Sequence, residues 1–431
     1  MRELTSQTMT VFAGRMAGDS VAPPARMING GLPLAGQDRG LVLIVHPDMR
    51  SAEAAWRALE ADPWNSMHQA FDWCCAWVKT HGHPIAIVEG RLDGALAFLL
   101  PLEIESRAMV RTAQFIGSPF TNFNSGLFSA EFRQKAGQVS AAEIADGLAR
   151  ALAGRADLIR LTHIPLSWRG ENHPFAGLPS MRNPNPAFQL ELGADMDATI
   201  APLNAKSRRK KYRSQVRKLE AVGGFDHVRA TSPAEKSDLL TSFFRQKAAR
   251  FDAQGLPNVF KAAETQAFFH LVLEMDRGGT DVPLELHALR LKGEYAGKIA
   301  AIAGLSRKGD HVICQFGSID DTLMPEASPG ELLFWLMIER AALTGAGLFD
   351  FGIGDQDYKR RWCRNETLHH DLIVSITTRG RLAEQILKGL TRVKSAVKTN
   401  ARLYALIQRV RASGTKGVGP APGQSAAGDG D

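Results

Sequence analysis

Hydrophobic positions along this chain alternate between a period of two and a period near 3.6, the pattern of strands interleaved with amphipathic helices. In the first half, the spacing predicts a helix over 67–79 and a strand from 84. A Gly- and Asp-rich turn follows over 90–94, with a return strand over 95–101. A helix over 141–153 and a short strand over 158–162 follow. The same order then recurs: helices over 234–253 and 262–276, a strand over 284–291, a Gly-bearing turn at 292–297 and an Ala-rich strand over 298–304. This recurrence reads as a diverged duplication.

Beyond it the pattern gives a central strand over 312–318, a helix over 329–343, a strand over 348–351 and a short helix over 356–363. A strand over 372–377 is expected to close the second sheet, and residues 382–410 form a long helix with apolar residues about one turn apart. The expected architecture is α/β with mixed sheets: a tail over 1–40, a first lobe over 41–195, a second lobe over 196–379, a basic amphipathic helix over 380–412 and a tail over 413–431. Both tails are Gly-, Pro- and Ala-rich, a composition expected to be disordered.

A length of 431 residues suits two cores, and 44% hydrophobic with 23% charged residues is a globular composition. No run approaches the roughly 18 apolar residues of a membrane span, and no apolar signal segment opens the chain, so a cytoplasmic location is expected. Cys74, Cys75, Cys314 and Cys363 lack the pairing of a zinc site or disulfide framework, so reduced thiols and no metal are expected. The net charge of +7 is placed unevenly. Residues 379–417 hold ten Lys/Arg against Glu384, and Asp429 and Asp431 subtract two, so residues 1–378 sum to zero. Such a helix can lie on an anionic membrane or pack on protein.

A second basic run, 206–218, has eight cations in thirteen residues, with Tyr212, Val216 and Leu219 on one helical stripe. A solvated helix face is its first reading; contact of Arg208, Lys211 and Tyr212 with an anionic substrate is the second, and RNA the third.

The segment 203–219, the Gly293/Gly297 turn, Ser328-Pro-Gly-Glu-Leu-Leu333 and Asp350-Phe-Gly-Ile-Gly-Asp-Gln-Asp-Tyr-Lys359 stand in an order that resembles the CelD-like branch of the GNAT acyltransferase superfamily, over about residues 42–380. The resemblance implies two tandem GNAT-like lobes, similar to those of FemAB-type aminoacyl transferases, with the developed acyl-donor site in the second lobe. It implies acetyl-CoA or another acyl-CoA as co-substrate and an amine or hydroxyl acceptor, such as a sugar or envelope precursor. Ser328, Pro329, Gly330 and Glu331 open a helix whose free amides and positive dipole end suit a pyrophosphate. The usual Gln/Arg-x-x-Gly-x-Gly/Ala loop is absent there, and an ordinary helix start fits the residues equally.

Acyl transfer needs a base for the nucleophile and an acid for the departing thiolate. Tyr358 is the candidate acid; Asp350, read as alternating outward on its strand, is the candidate base, with Gln315 as a water-positioning alternative and Lys359 beside them. Asp355 is a candidate for substrate contact. Each has a plainer reading: a packed aromatic, a turn-orienting carboxylate, a polar residue satisfied in the sheet, a solvated lysine. His287 and His311 read as structural, and His369-His370 as too isolated for a metal. Two other functions fit the pattern: a FemAB-like transferase whose basic run meets aminoacyl-tRNA, and an inactive GNAT scaffold that docks through its basic tail.

Overall fold

The computed structural model describes residues 26–27, 40–275 and 279–399. The expected tail over 413–431, almost all of that over 1–40 and residues 400–412 of the expected basic helix lie outside the described residues.

The first half runs β1 (Leu41–His46), α1 (Met49–Glu60), α2 (Phe71–His81), β2 (Ile85–Leu92), β3 (Ala95–Arg107), β4 (Val110–Phe115), α3 (Ala141–Ala151), β5 (Leu158–Pro165) and β6 (Ser180–Arg182). The β2–β3 hairpin turns on Asp93 and Gly94, both at positive φ (51° and 80°), the two-residue turn whose twist matches the flanking strands. After β7 (Ala187–Glu191) and α4 (Ala205–Glu220), the second half gives β8 (Phe225–Arg229), α5 (Pro233–Gln254), α6 (Ala263–Glu274), β9 (Val282–Leu291), β10 (Ile299–Lys308), β11 (His311–Ile319), α7 (Pro329–Leu343) and β12 (Leu348–Ile353). The chain continues with α8 (Asp357–Trp362), β13 (Asn365–Thr367), β14 (His369–Ser375) and α9 (Thr378–Thr399).

The longer strands of one sheet run β1-β2-β3-β4-β5-β14-β6, with two-residue strands Arg26–Met27 and Leu127–Phe128 added on β1 and β3, and the other sheet runs β8-β9-β10-β11-β12-β7-β13. The two orders correspond strand for strand, and each contains one parallel pair, β4 with β5 and β11 with β12. The strand beside each parallel pair comes from the other half of the sequence. β14, expected to close the second sheet, instead pairs with β5 and β6 in the first, while β7 pairs with β12 and β13 in the second. Both are apolar and short, so the residues alone do not say which edge receives them.

The helical layers of the two lobes share one apolar cluster. Trp73 and Trp77 of α2 meet Phe268 of α6 edge-on at 5.2 and 5.1 Å, and all three rings are buried. Truncating Phe268 to Ala would cost about 3–5 kcal/mol by emptying this contact. Across the same boundary Lys308, itself buried, donates to the Glu60 carbonyl and pairs with Asp281, and Arg169 pairs with Asp310 at 2.7 Å. Ala383 and Leu387 seat α9 against Leu158, Met181 and Ile373 of the first sheet. Leu382, Ile386, Leu390 and Val393 on its outer flank are exposed. No described helix is long and apolar enough to cross a membrane.

Candidate functional site

The parallel ladder between β11 and β12 holds only for His311, Val312 and Ile313 against Leu348, Phe349 and Asp350; beyond these residues the strands part. Parting leaves strand carbonyls and amides without their usual partners, and buried ones must be satisfied elsewhere. On β11 the Asn122 side-chain amide, from the first lobe, reaches the Cys314 and Gln315 carbonyls at 3.4 Å each. On β12 the buried Lys359 ammonium donates to the Gly352 and Ile353 carbonyls at 3.2 and 2.8 Å. The Gly352 amide donates to Asp350 Oδ1 at 2.7 Å, and the Gly354 amide to the Pro186 carbonyl at 3.0 Å. The divergence is thus held open by side chains from both lobes.

The parted strands border a cavity of about 530 Å³ whose other wall is the start of α7. Ser328, at φ 50°, turns the chain into that helix. Pro329 has no N–H, and the amides of Glu331 and Leu332 both point back to the Ser328 carbonyl. Gly330 is therefore the first-turn amide left without an intrahelical use. A Cβ at Gly330 would stand 2.8 Å from Ile319 Cγ2, so glycine lets the helix start press against the end of β11.

In the first lobe the equivalent gap is filled. β4 and β5 pair at Thr112–Leu158 and Ala113–Ile159, and beyond them residues 118–124 occupy the space. Ser118 and Thr162 hydroxyls lie 2.9 Å apart, Asn124 Nδ2 donates to the Thr162 carbonyl at 2.9 Å, and His163 Nδ1 donates to the Thr121 carbonyl at 2.7 Å. Among the described residues the second lobe keeps a cleft beside its parallel strands where the first is filled, and the plug in the first lobe supplies Asn122 to it.

The cavity brings together Gln315, Ser328, Pro329, Gly330, Glu331, Tyr358 and Lys359. The Tyr358 ring is half-buried and stacks on Phe334 at 5.3 Å. Lys359, rather than a solvated lysine, is a buried brace of β12. Gln315 Oε1 faces His68 Nε2 of the first lobe at 2.9 Å, and its Nε2 donates to Ser306 Oγ at 2.9 Å. Burial lowers the His68 pKa, which favours the neutral ring.

Asp350 does not face this cavity. Its carboxylate is 1% exposed; Oδ1 accepts from the Gly352 amide, and Oδ2 from Gln189 at 3.0 Å and His311 at 3.3 Å. Although burial opposes ionisation, the His311 bond and charge, with Gln189 and the Gly352 amide, bring its pKa below the usual value. A carboxylate so engaged orients the turn, and the outward position expected from alternation is taken up by packing against β7. Asp355 is at the surface, paired with Arg360 at 2.6 Å, and lines none of these walls. Arg208, Lys211 and Tyr212 line a smaller adjoining cavity of about 310 Å³, where Tyr212 stacks on Trp335 at 4.6 Å. Among the described residues no group of three His, Cys, Asp or Glu could hold a metal ion.

Sequence reasoning missed Asn122, Lys247, Arg250 and Gln356, all of which line the cleft. Gln356 carried a signal only in three dimensions: its side-chain oxygen is buried with no hydrogen-bond partner among the described residues, and the residue lines the cavity. Asn122 reaches its partners across 192 and 193 residues of sequence, a separation at which no local pattern exists.

Residues 206–360 match the family model of the acetyltransferase (GNAT) domain. No curated protein matches the chain. Among solved structures, the crystal structure of FemX is similar, with a TM-score of 0.53 at 12% identity over 80% of this chain and 99% of that one. L-PGS from Bacillus licheniformis gives 0.48 at 12% identity, over 80% of this chain and 96% of its own. A tandem GNAT protein from the clavulanic acid biosynthesis pathway gives 0.45 at 13%, over 78% and 98%. At such identities the likeness to FemX is one of fold. The open cleft between β11 and β12 falls within the span that matches the acetyltransferase (GNAT) domain model, inside a mixed α/β fold of the GNAT type.

Proposed function

We propose that this chain transfers an acetyl or other acyl group from acyl-CoA to an amine or hydroxyl acceptor. The observation that carries this reading is the parting of β11 from β12 opposite the start of α7. In this reading the thioester arm lies in the cavity that the parted strands border, beside the Asn122 side chain that spans their gap. The pyrophosphate of the same molecule then meets the Gly330 amide and the positive end of α7.

In this reading the Tyr358 hydroxyl protonates the departing thiolate. Gln315, held by His68 and Ser306, positions the acceptor or a water that takes its proton. The Gln356 oxygen, buried and with no partner among the described residues, accepts a hydrogen bond from whichever ligand lies in the cleft. Asp350 keeps the Gly352 turn in place and acts through it. The acceptor enters from the first-lobe side, where Asn122 forms part of the wall. The order of motifs, which resembles the CelD-like branch, supports a sugar or envelope precursor as acceptor.

A second reading, transfer from aminoacyl-tRNA, draws on the loop before α7. It is built on Met324 and Ser328 at positive φ (49° and 50°) and on Pro325, unlike a glycine-rich CoA loop. The test is calorimetric titration of acetyl-CoA into the native chain and into Gly330→Trp. Saturable binding that the substitution abolishes supports the acyl-CoA reading. No binding of acetyl- or longer acyl-CoA, with salt-sensitive binding of tRNA, moves the donor to aminoacyl-tRNA. Binding of neither would make the domain an inactive scaffold.

A further inference from the structure

The smaller cavity, between α4, the start of α7 and α8, has the charge of an anion site. Arg208, Lys211, Arg360, Arg361 and Arg364 line it against one carboxylate, Glu331. Arg360 is already neutralised by Asp355 and Glu366. Of the other four, Lys211 and Arg361 are bridged by the Glu331 carboxylate, the latter at 2.7 Å. Arg208 lies flat on the Trp362 ring at 3.9 Å and pairs with no described carboxylate. Burial pulls its pKa below the ordinary value, a mark of a guanidinium partly stripped of water without full compensation.

Glu331 is the third residue of α7, where the helix dipole favours negative charge. Its carboxylate lies in the first turn of α7 and holds the Lys211 and Arg361 cations together. Glu331 and Arg361 line both this cavity and the larger cleft, so the two spaces meet at their ion pair. A ligand reaching past the helix start must displace that pair.

We propose that this cavity is a phosphate subsite, in which a phosphoryl group of a ligand held in the cleft replaces the Glu331 carboxylate between Lys211 and Arg361 and reaches Arg208. A phosphate offers more charge and more acceptor oxygens than the carboxylate it replaces, and guanidinium groups match them two at a time. The phosphate belongs either to the acyl donor or to a phosphorylated acceptor. The inference rests on the reading that the cleft binds a ligand.

The experiment is calorimetric titration of inorganic pyrophosphate into the native chain, the double variant Lys211→Met/Arg364→Met, and Glu331→Gln. The native chain should bind saturably, the double variant at least about tenfold more weakly, and Glu331→Gln at least about threefold more tightly, because two cations are released. Equal affinity of the double variant and the native chain, or weaker binding by Glu331→Gln, overturns the subsite. Thermal midpoints of the variants guard against misfolding, and Lys211→Arg/Arg364→Lys should restore binding. Acetyl-CoA and its 3′-dephospho counterpart separate the sources. If the donor's 3′-phosphate fills the subsite, the double variant loses affinity for acetyl-CoA alone; if the donor's pyrophosphate fills it, affinity for both falls; if the acceptor supplies the phosphate, both keep native affinity while pyrophosphate binding stays weakened. Acetyl-CoA binding in the cleft without pocket-dependent pyrophosphate binding sinks the subsite only. Pocket-dependent pyrophosphate binding without acetyl-CoA binding sinks the donor reading and leaves the subsite.

Discussion

Replacing Gly330 by Ala tests the cleft with one methyl group. The new Cβ would stand 2.8 Å from Ile319 Cγ2, where ordinary contact begins at 3.4 Å, so helix start and strand end must separate by about 0.6 Å. Gly330 is not at positive φ, so the backbone accepts alanine without strain. Two terms oppose each other in stability: alanine favours a helix by up to about 1 kcal/mol over glycine, and overpacking costs about 1–3 kcal/mol. A net loss of about 0–2 kcal/mol is expected, which leaves the protein folded. Donor binding should suffer more, because the methyl stands where the backbone must approach a pyrophosphate; a loss of about 10- to 100-fold corresponds to roughly 1.4–2.8 kcal/mol. The assay is calorimetry with acetyl-CoA, paired with thermal melting. Ile319→Ala/Gly330→Ala separates the causes, since it removes the clash but keeps the methyl. Recovery of stability with binding still weak places the donor against Gly330. Native affinity in Gly330→Ala would refute the placement, and full recovery of binding in the double variant would reduce the effect to packing.

Tyr358→Phe should lower turnover about 100-fold or more while leaving the Kd of acetyl-CoA unchanged, measured by thiol release; an equal loss of affinity would make Tyr358 a binding residue. Asp350→Asn should cost about 2–4 kcal/mol in urea unfolding, because an amide turns a donor toward the Gly352 amide or the Gln189 and His311 side chains; a variant as stable as the native chain but inactive would restore Asp350 as the base. His68, His173 and His369 are buried and His163 is half-buried, and desolvation lowers their pKa values, to about 4 for His173 and about 3 for His369. The unfolded chain protonates such rings near pH 6.5 and the folded chain does not. Stability is therefore full above about pH 6.5 and falls toward the folded values, by ~1.4 kcal/mol per pH unit for each ring. Urea midpoints should drop from about pH 7 to 5.5, and His369→Leu should flatten the slope; an unchanged slope would show that His369 contributes nothing.

Much of the fold follows from local chemistry. The Asp93-Gly94 turn, the apolar alternation of β9, β10 and β11, and the Ser328-Pro329 helix start each specify their own backbone, because the period of the side chains and the φ preferences of these residues act within a few positions. The order helix, hairpin, strand is repeated in the sequence and again in the two sheets. Of the second-lobe motif, Ser328 to Glu331 with Tyr358 and Lys359 line one cleft, whereas Asp350 and Asp355 of the same motif lie outside it.

The tertiary structure decided what depends on distant partners. β7 and β14 carry no sign of the sheet they join; that follows from which edge each can bury, and the exchange between lobes satisfies both. Alternation on β12 pointed Asp350 outward, yet the arrival of β7 with Gln189 covers that face and turns a candidate base into a buried hydrogen-bond acceptor. Asn122 enters the cleft only because the first lobe plugs its own parted strands with the loop that bears it. The basic stripe of α4 reads in sequence as a solvated face, and becomes one wall of a cationic cavity because Tyr212 stacks on Trp335 and Arg208 on Trp362. Sequence sets what each segment can become through short-range periodicity and backbone preference. Which polar groups are left to meet a ligand is settled by long-range burial, which no local pattern encodes.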